Sequence, residues 1–224
     1  AQREAVVHER GPLLIIAGAG TGKTTVITRR IAWLLSANLA RPEEILALTF
    51  TDKAALEMEE RVDLLLPYGT VDVAIRTFHA FGDQLVRDHA LQLGLSPHVR
   101  VLSRPEQLVF LRQLGFALPL ARYRPLQEPT RYLEALATAF ARLKDEAVTP
   151  EEFLAYAQQL ERDAQAPPEE AARTRELAEA YSAYQRILHE TDAVDFGDQV
   201  LLAIQLLERH PDVLSHPLGI QAGD

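Results

Sequence analysis

Residues 17–25 read Ala-Gly-Ala-Gly-Thr-Gly-Lys-Thr-Thr, directly behind the apolar run Pro-Leu-Leu-Ile-Ile at 12–16. Small residues in such a loop let consecutive backbone N–H groups turn inward around an anion. The helix that follows adds the positive end of its dipole. Gly18, Gly20 and Gly22 suit that curvature, Lys23 can reach the β- and γ-phosphates of a nucleoside triphosphate, and the Thr24 hydroxyl can bind Mg²⁺. The strict spacing G-x-x-x-x-G-K-[ST] wants glycine at 17, and the alanine there is small enough if its φ stays negative. The candidate nucleotide-binding positions are therefore Ala17, Gly18, Ala19, Gly20, Thr21, Gly22, Lys23, Thr24 and Thr25. Lys23 and Thr24 are the candidate catalytic groups, with ATP and Mg²⁺ as the cofactors they would serve. The competing reading is a flexible lead-in to an ordinary helix; the strand expected before the loop and the amphipathic helix expected behind it argue against that.

Those flanking elements are legible as periodicity. Residues 13–17 form a short continuous apolar run, as in a strand buried on both faces. Ile27, Ile31, Leu34 and Leu35 fall at helical spacing, 45–50 is a second strand, and Ala55, Met58, Val62 and Leu65 mark another helix face. Val71, Val73 and Ile75 alternate as a third strand, and a further helix begins at Thr77-Phe-His-Ala-Phe81. The β-α-β-α-β order predicts an α/β fold with a parallel sheet, flanking helices and right-handed crossovers. From roughly 94 to 190 strand signals vanish, and Ser103–Glu106 and Thr149–Glu152 read as capping boxes that open helices. That region is expected to be an all-helical insertion, followed by a last helix from about Asp195 to His210 that stops at Pro211.

Composition excludes more than it identifies. The 224 residues carry no cysteine and a formal charge of −9, so disulfides and cysteine-based zinc sites are ruled out. The seven histidines show no metal-ligand spacing, and no run approaches the ~20 apolar residues of a membrane span. The acidic balance argues against a generally basic nucleic-acid coat, but leaves room for a local groove. Residues 100–144 hold eight basic side chains against three acidic ones. Within them, Arg122-Tyr-Arg124 is a candidate for phosphate contact beside the plainer reading of a solvated face. A soluble, cytoplasmic protein is expected.

Four stretches in order then narrow the chemistry. Ala1–Val7, Ile45–Val62, Ile75–Gly82 and Asp195–Ala203, together with the glycine loop, resemble the motifs of the UvrD/Rep-type superfamily 1 DNA helicases. The resemblance covers roughly 1–82 and 191–210 with specific motifs; the region between fits in length and helicity alone. It implies a RecA-like motor domain from 1–92, a helical insertion at 93–190, and a return to the motor domain at 191–224. It also implies an ATP-dependent helicase or translocase of DNA repair or replication that moves 3′ to 5′ on single strands, with a duplex junction as a further partner and no membrane. Carried over by position, Gln2 resembles the glutamine that reads the adenine edge. Thr49, Phe50, Thr51, Thr77, Phe78 and His79 resemble residues that hold single-stranded DNA. Without the resemblance, Phe50 and Phe78 would be read as core and His79 as a helix cap.

The departures are specific. Asp52 stands where the family commonly has asparagine, and Thr25 where many relatives have arginine. The acidic Mg²⁺-binding pair and catalytic glutamate that follow the Asp-Phe-x-Asp helix in this family are not found, nor is a second motor domain with its arginine finger. Residues 218–224 have no family counterpart. The expectation is the N-terminal part of a longer helicase, inactive as a hydrolase by itself. A subunit of a helicase–nuclease complex and a non-catalytic, nucleotide-responsive DNA-binding module are the alternatives.

Overall fold

Apolar positions at strand and helix spacing gather into separate cores, and the chain divides into two units: 1–81 with 210–224, and 82–209. A computed structural model describes residues 1–18, 20–66, 72–123, 127–128 and 130–215. Ala19, Val71, Arg124, Pro125, Pro129 and the 218–224 tail therefore lie outside the described residues. Among the described residues the protein is mixed α/β, with helices dominant and two small parallel sheets.

In the first unit Leu46–Thr49 (β1) and Ala74–Thr77 (β2) pair in parallel, with Leu46 opposite Ala74 and Thr49 opposite Thr77. Helices Lys23–Ser36 (α2) and Asp52–Leu65 (α3) lay Ile31, Ala55, Met58 and Val62 on Ala47, Val73 and Ile75 to close its core. Each Val, Ile or Met side chain buried this fully contributes roughly 1.5–3 kcal/mol. The buried face of α2 begins at Val26 rather than Ile27, which is exposed, and at the end of α3 Leu66 takes the packing place expected for Leu65. Thr51 starts α3 by accepting the Ala54 N–H at its Oγ1 (3.2 Å), the hydrogen bond an N-cap residue supplies.

The expected first strand is not formed. Residues 12–18 carry no regular structure, and Leu14 and Ile16 are 83% and 90% exposed. An apolar run becomes a buried strand only where neighbouring strands take its ladder hydrogen bonds and other layers cover its faces. The sheet described here consists of β1 and β2, paired with each other.

The second unit corrects the expectation of an all-helical insertion. Arg100–Leu102 (β3) pairs in parallel with Ala193–Asp195 (β4). Three-residue strands are too short to show a period of two, and their partners are remote in sequence. Five helices surround them: Arg104–Gln113 (α5), Leu133–Asp145 (α6), Pro150–Arg162 (α7), Pro168–Glu190 (α8) and Phe196–Arg209 (α9). Leu111, Leu136, Phe140, Tyr181, Tyr184 and Leu188 form the centre of the core. The Phe140 ring stacks on Tyr184 at 5.0 Å between centroids. Both expected caps are present. Ser103 N and Oγ donate to Glu106, while Thr149 and Glu152 exchange backbone-to-side-chain hydrogen bonds.

Beneath this core lies a buried ionic cluster. Lys144 Nζ sits 2.6 Å from Asp195 Oδ2 and 2.8 Å from Asp198 Oδ1, all three side chains at most 4% exposed. Gln107 and Tyr184 also donate to Asp195 Oδ2, and Gln185 donates to Asp198 Oδ1. Burial opposes ionisation of Asp195, but the Lys144 charge and these donors prevail and hold its carboxyl below the usual range. For Asp198 burial dominates and pushes the carboxyl up. Gly197 is required beside the lysine, since a β-carbon there would lie 2.9 Å from the Lys144 stem.

Removing one member of a buried ion cluster strands the others, at a cost of about 3–5 kcal/mol. Lys144→Met is accordingly expected to lower the stability of the chain by about that amount in urea unfolding, and adding Asp198→Asn to recover part of it. A loss under about 1 kcal/mol would show that the cluster is not what ties α6 to β4 and α9.

Candidate functional site

Among the described residues of the glycine loop two are left-handed. Gly20 has φ +73° and Gly22, the residue that caps α2, has φ +87°, a region costly for any side chain with a β-carbon. Ala17 is not among the described residues with positive φ, which meets the condition under which alanine can stand for glycine there. Thr21 Oγ1 closes the loop by donating to Gly18 O at 2.7 Å. Ala19 lies outside the described residues.

Lys23 is exposed at the first position of α2, and its ammonium turns back to donate to Ala17 O (2.8 Å) and Gly18 O (2.7 Å). Neutral carbonyls are weak competitors for a cation, so a phosphate oxygen entering the loop would take the ammonium from them. The Thr24 hydroxyl has no protein partner among the described residues. Behind it Thr28, buried one turn along, donates its hydroxyl to Thr24 O (3.1 Å) and Thr25 O (3.3 Å). Thr28 was not singled out by sequence, although a threonine four positions beyond Thr24 on a helix is placed to make this back-bond.

Gln2 opens a short exposed helix, Gln2–Val6 (α1), and its Nε2 donates to Thr21 O at 3.0 Å. One amide N–H and the Oε1 acceptor remain, the complement of the N7 acceptor and exocyclic amine donor of adenine. Gln2 therefore lies against the same loop as Lys23 and Thr24. Gln2 Oε1 as an acceptor, the loop amides and Lys23 Nζ as donors, and the Thr24 hydroxyl as a metal ligand are the groups a nucleotide with Mg²⁺ would call on.

A second group lies at the carboxyl ends of β1 and β2, where parallel sheets present ligand-binding side chains. The pairing of Thr49 with Thr77 brings Phe50 and Phe78 side by side, ring centroids 5.2 Å apart and planes tilted by 41°. Phe50 is 87% exposed and Phe78, the first residue of Phe78–Asp88 (α4), is 42% exposed, so neither is a core residue. Thr51 and Thr77 spend their hydroxyls as helix caps, the latter accepting Ala80 N–H at 3.1 Å. His79 is partly buried beside Phe78 and engaged within the protein. Asp52 is exposed at the start of α3.

The Arg122–Tyr123 pair is not a free basic patch. The N–H groups of Ala121, Arg122 and Tyr123 all donate to Glu176 Oε1, an anion nest already filled by a carboxylate of the protein. Tyr123 meets Tyr132 edge-on at 5.7 Å, while Arg104 and Arg131 face Glu134 and Glu128. Among the described residues no cluster of three His, Asp or Glu could hold a metal ion, and no helix is long and apolar enough to cross a membrane.

The pattern of the UvrD/REP helicase N-terminal domain matches residues 1–217. The chain is 36% identical over 219 residues to the ATP-dependent DNA helicase UvrD1 of Mycobacterium leprae, 96% of this chain and 26% of that protein. It is 34% identical over 218 residues to the probable DNA helicase II homolog of Rickettsia felis, covering 96% of this chain and 30% of the relative. It is also 34% identical over 218 residues to the ATP-dependent DNA helicase PcrA of Bacillus subtilis, covering 95% and 26%. The chain thus spans between a quarter and a third of the length of the curated relatives it matches. A loop shaped for phosphate, a glutamine against it and paired strands that end in exposed aromatics are accompanied by a match over nearly the whole sequence, and the chain belongs to the UvrD/REP helicase N-terminal domain family.

Proposed function

We propose that this chain is the ATP-binding N-terminal part of an ATP-dependent DNA helicase that moves on single-stranded DNA, 3′ to 5′ as the family resemblance implies. The observation that carries this reading is the presence in one unit of the glycine loop with Lys23 and of the exposed Phe50–Phe78 pair at adjoining strand ends. Residues 1–92 are read as the start of a RecA-like motor domain, 93–190 as its inserted subdomain and 191–224 as the return to the motor. The uncovered apolar residues at 13–16 are a surface for the remainder of that motor. Repair or replication of DNA is the setting the family resemblance implies.

The residues divide the work. Gln2 orients the adenine, the amides of 18–22 surround the phosphates, Lys23 neutralises charge on the outer phosphates, and Thr24 offers its hydroxyl to Mg²⁺. When bound, ATP with Mg²⁺ supplies the phosphoryl-transfer chemistry whose free energy drives movement. Phe50 and Phe78 offer ring faces on which any base can stack, as a motor indifferent to sequence requires. Thr49, Thr51, Thr77 and His79 shape the path around them.

Lys23→Ala is expected to weaken binding of a fluorescent ADP by about tenfold or more while leaving thermal unfolding unchanged, because the side chain is exposed. A substitution that unfolded the protein would make Lys23 structural. None of the site residues is a carboxylate or a second-domain arginine, and an arginine finger alone is worth ~10³–10⁵ in rate. The 224-residue chain is therefore expected to release phosphate no faster than its Lys23→Ala control. DNA-stimulated release that disappears in that control would contradict this.

Phe78→Ala is expected to cost ~1–3 kcal/mol in affinity for oligo(dT), the value of one stacked base, measured by fluorescence anisotropy at fixed salt. Because Phe78 is 42% exposed, its melting temperature should move little. Equal losses of affinity and stability would instead assign Phe78 to the core.

A further inference from the structure

Helix α1 has no buried residue and no side-chain cap at its N-terminus. Five residues are too few to hold a helix by their own hydrogen bonds. Yet this helix carries Gln2, whose place against Thr21 depends on α1 staying formed. The last carbonyls of any helix lack partners within it, and here one side chain collects them. Arg30, on α2, directs Nη1 to Ala5 O (3.1 Å), Val6 O (3.4 Å) and His8 O. Among the described residues Arg30 has no carboxylate partner, unlike Arg41, Arg61 and Arg87 of the same chain, each of which pairs with one. Its charge is thus spent on the negative end of α1, where a cation is favoured.

We infer that Arg30 is a positioning residue for nucleotide recognition: from the phosphate-loop helix it clamps the C-terminal end of α1, and so holds Gln2 at the adenine edge. The arrangement ties both ends of the nucleotide to one rigid element. Lys23 and Thr24 stand on the first turn of α2, and Arg30 stands two turns along it, holding the helix that carries the base-reading amide. All three contacts run from Nη1 alone, so the task asks for one cationic nitrogen held near these carbonyls rather than for the full guanidinium fork. The inference rests on the reading of Gln2 as the adenine contact.

The test titrates the 224-residue chain with methylanthraniloyl-labelled ADP and GDP, comparing it with Gln2→Ala, Arg30→Met, Arg30→Lys and the Gln2→Ala/Arg30→Met double variant. Arg30→Met is expected to weaken ADP about tenfold and leave GDP unchanged, as Gln2→Ala does, with the double variant no weaker than Gln2→Ala alone. Arg30→Lys should recover part of the loss. Hydrogen exchange should quicken at 5–7 in Arg30→Met and stay unchanged in β1 and β2. If Gln2→Ala abolishes the adenine preference and Arg30→Met keeps it, the positioning role is wrong while the Gln2 reading stands. Equal weakening of ADP and GDP by Arg30→Met, or faster exchange throughout, would make Arg30 a general structural residue. A chain whose adenine preference survives Gln2→Ala, or that has none, overturns both.

Discussion

Parallel pairing of β1 with β2 is the constraint from which the rest of the first unit follows. Parallel strands end at the same edge, so the register that sets Thr49 opposite Thr77 also sets Phe50 beside Phe78. It likewise starts α3 and α4 from neighbouring points, α3 capped by Thr51 two residues beyond β1 and α4 by Thr77 at the end of β2. A slip of one residue would turn Ala47 and Ile75 away from the α2–α3 core and separate the two rings. The same hydrophobic pattern that buries the sheet therefore fixes an exposed aromatic pair that contributes little to its stability. Side chains of that size left in water point to a partner that covers them.

The loop before α2 works by a different economy. Gly20 and Gly22 accept left-handed backbone, and Thr21 and Thr28 brace the turn with hydroxyl hydrogen bonds. Lys23 meanwhile rests on the loop's own carbonyls. A cation held by neutral acceptors is kept beside the loop without being neutralised, and little would have to move for it to meet an anion there. The buried Lys144 does the opposite. Enclosed by two aspartates and an aromatic ring, it serves the interior of the second unit and is closed to any ligand.

Local signals were readable where a few adjacent residues decide the outcome. The Thr149 and Ser103 caps, the helix face of Ala55, Met58 and Val62, and the phosphate loop all belong to that class. Long-range partners decided the rest. The run 13–17 has a strand's composition but no described neighbour, and β3 is a strand only because β4 lies beside it. Nothing local marks Lys144 as buried or Glu176 as the occupant of the 121–123 nest, since each depends on groups far along the chain. Phe50 and Phe78 were legible as strand-end aromatics; that they touch each other follows from the register alone. Residues in the site could be named from motifs, whereas Thr28 and Arg30 behind them required coordinates.

One unit is proposed to hold both a nucleotide loop and a single-strand platform. Residue-resolved hydrogen exchange of the 224-residue chain, with and without Mg²⁺–ATP and with and without oligo(dT), tests it most directly. The account predicts slower exchange at 2–6 and 18–25 with nucleotide, and at 49–54 and 77–81 with oligo(dT). Nucleotide protection that spares 18–25, or oligo(dT) protection confined to 82–209, would contradict it.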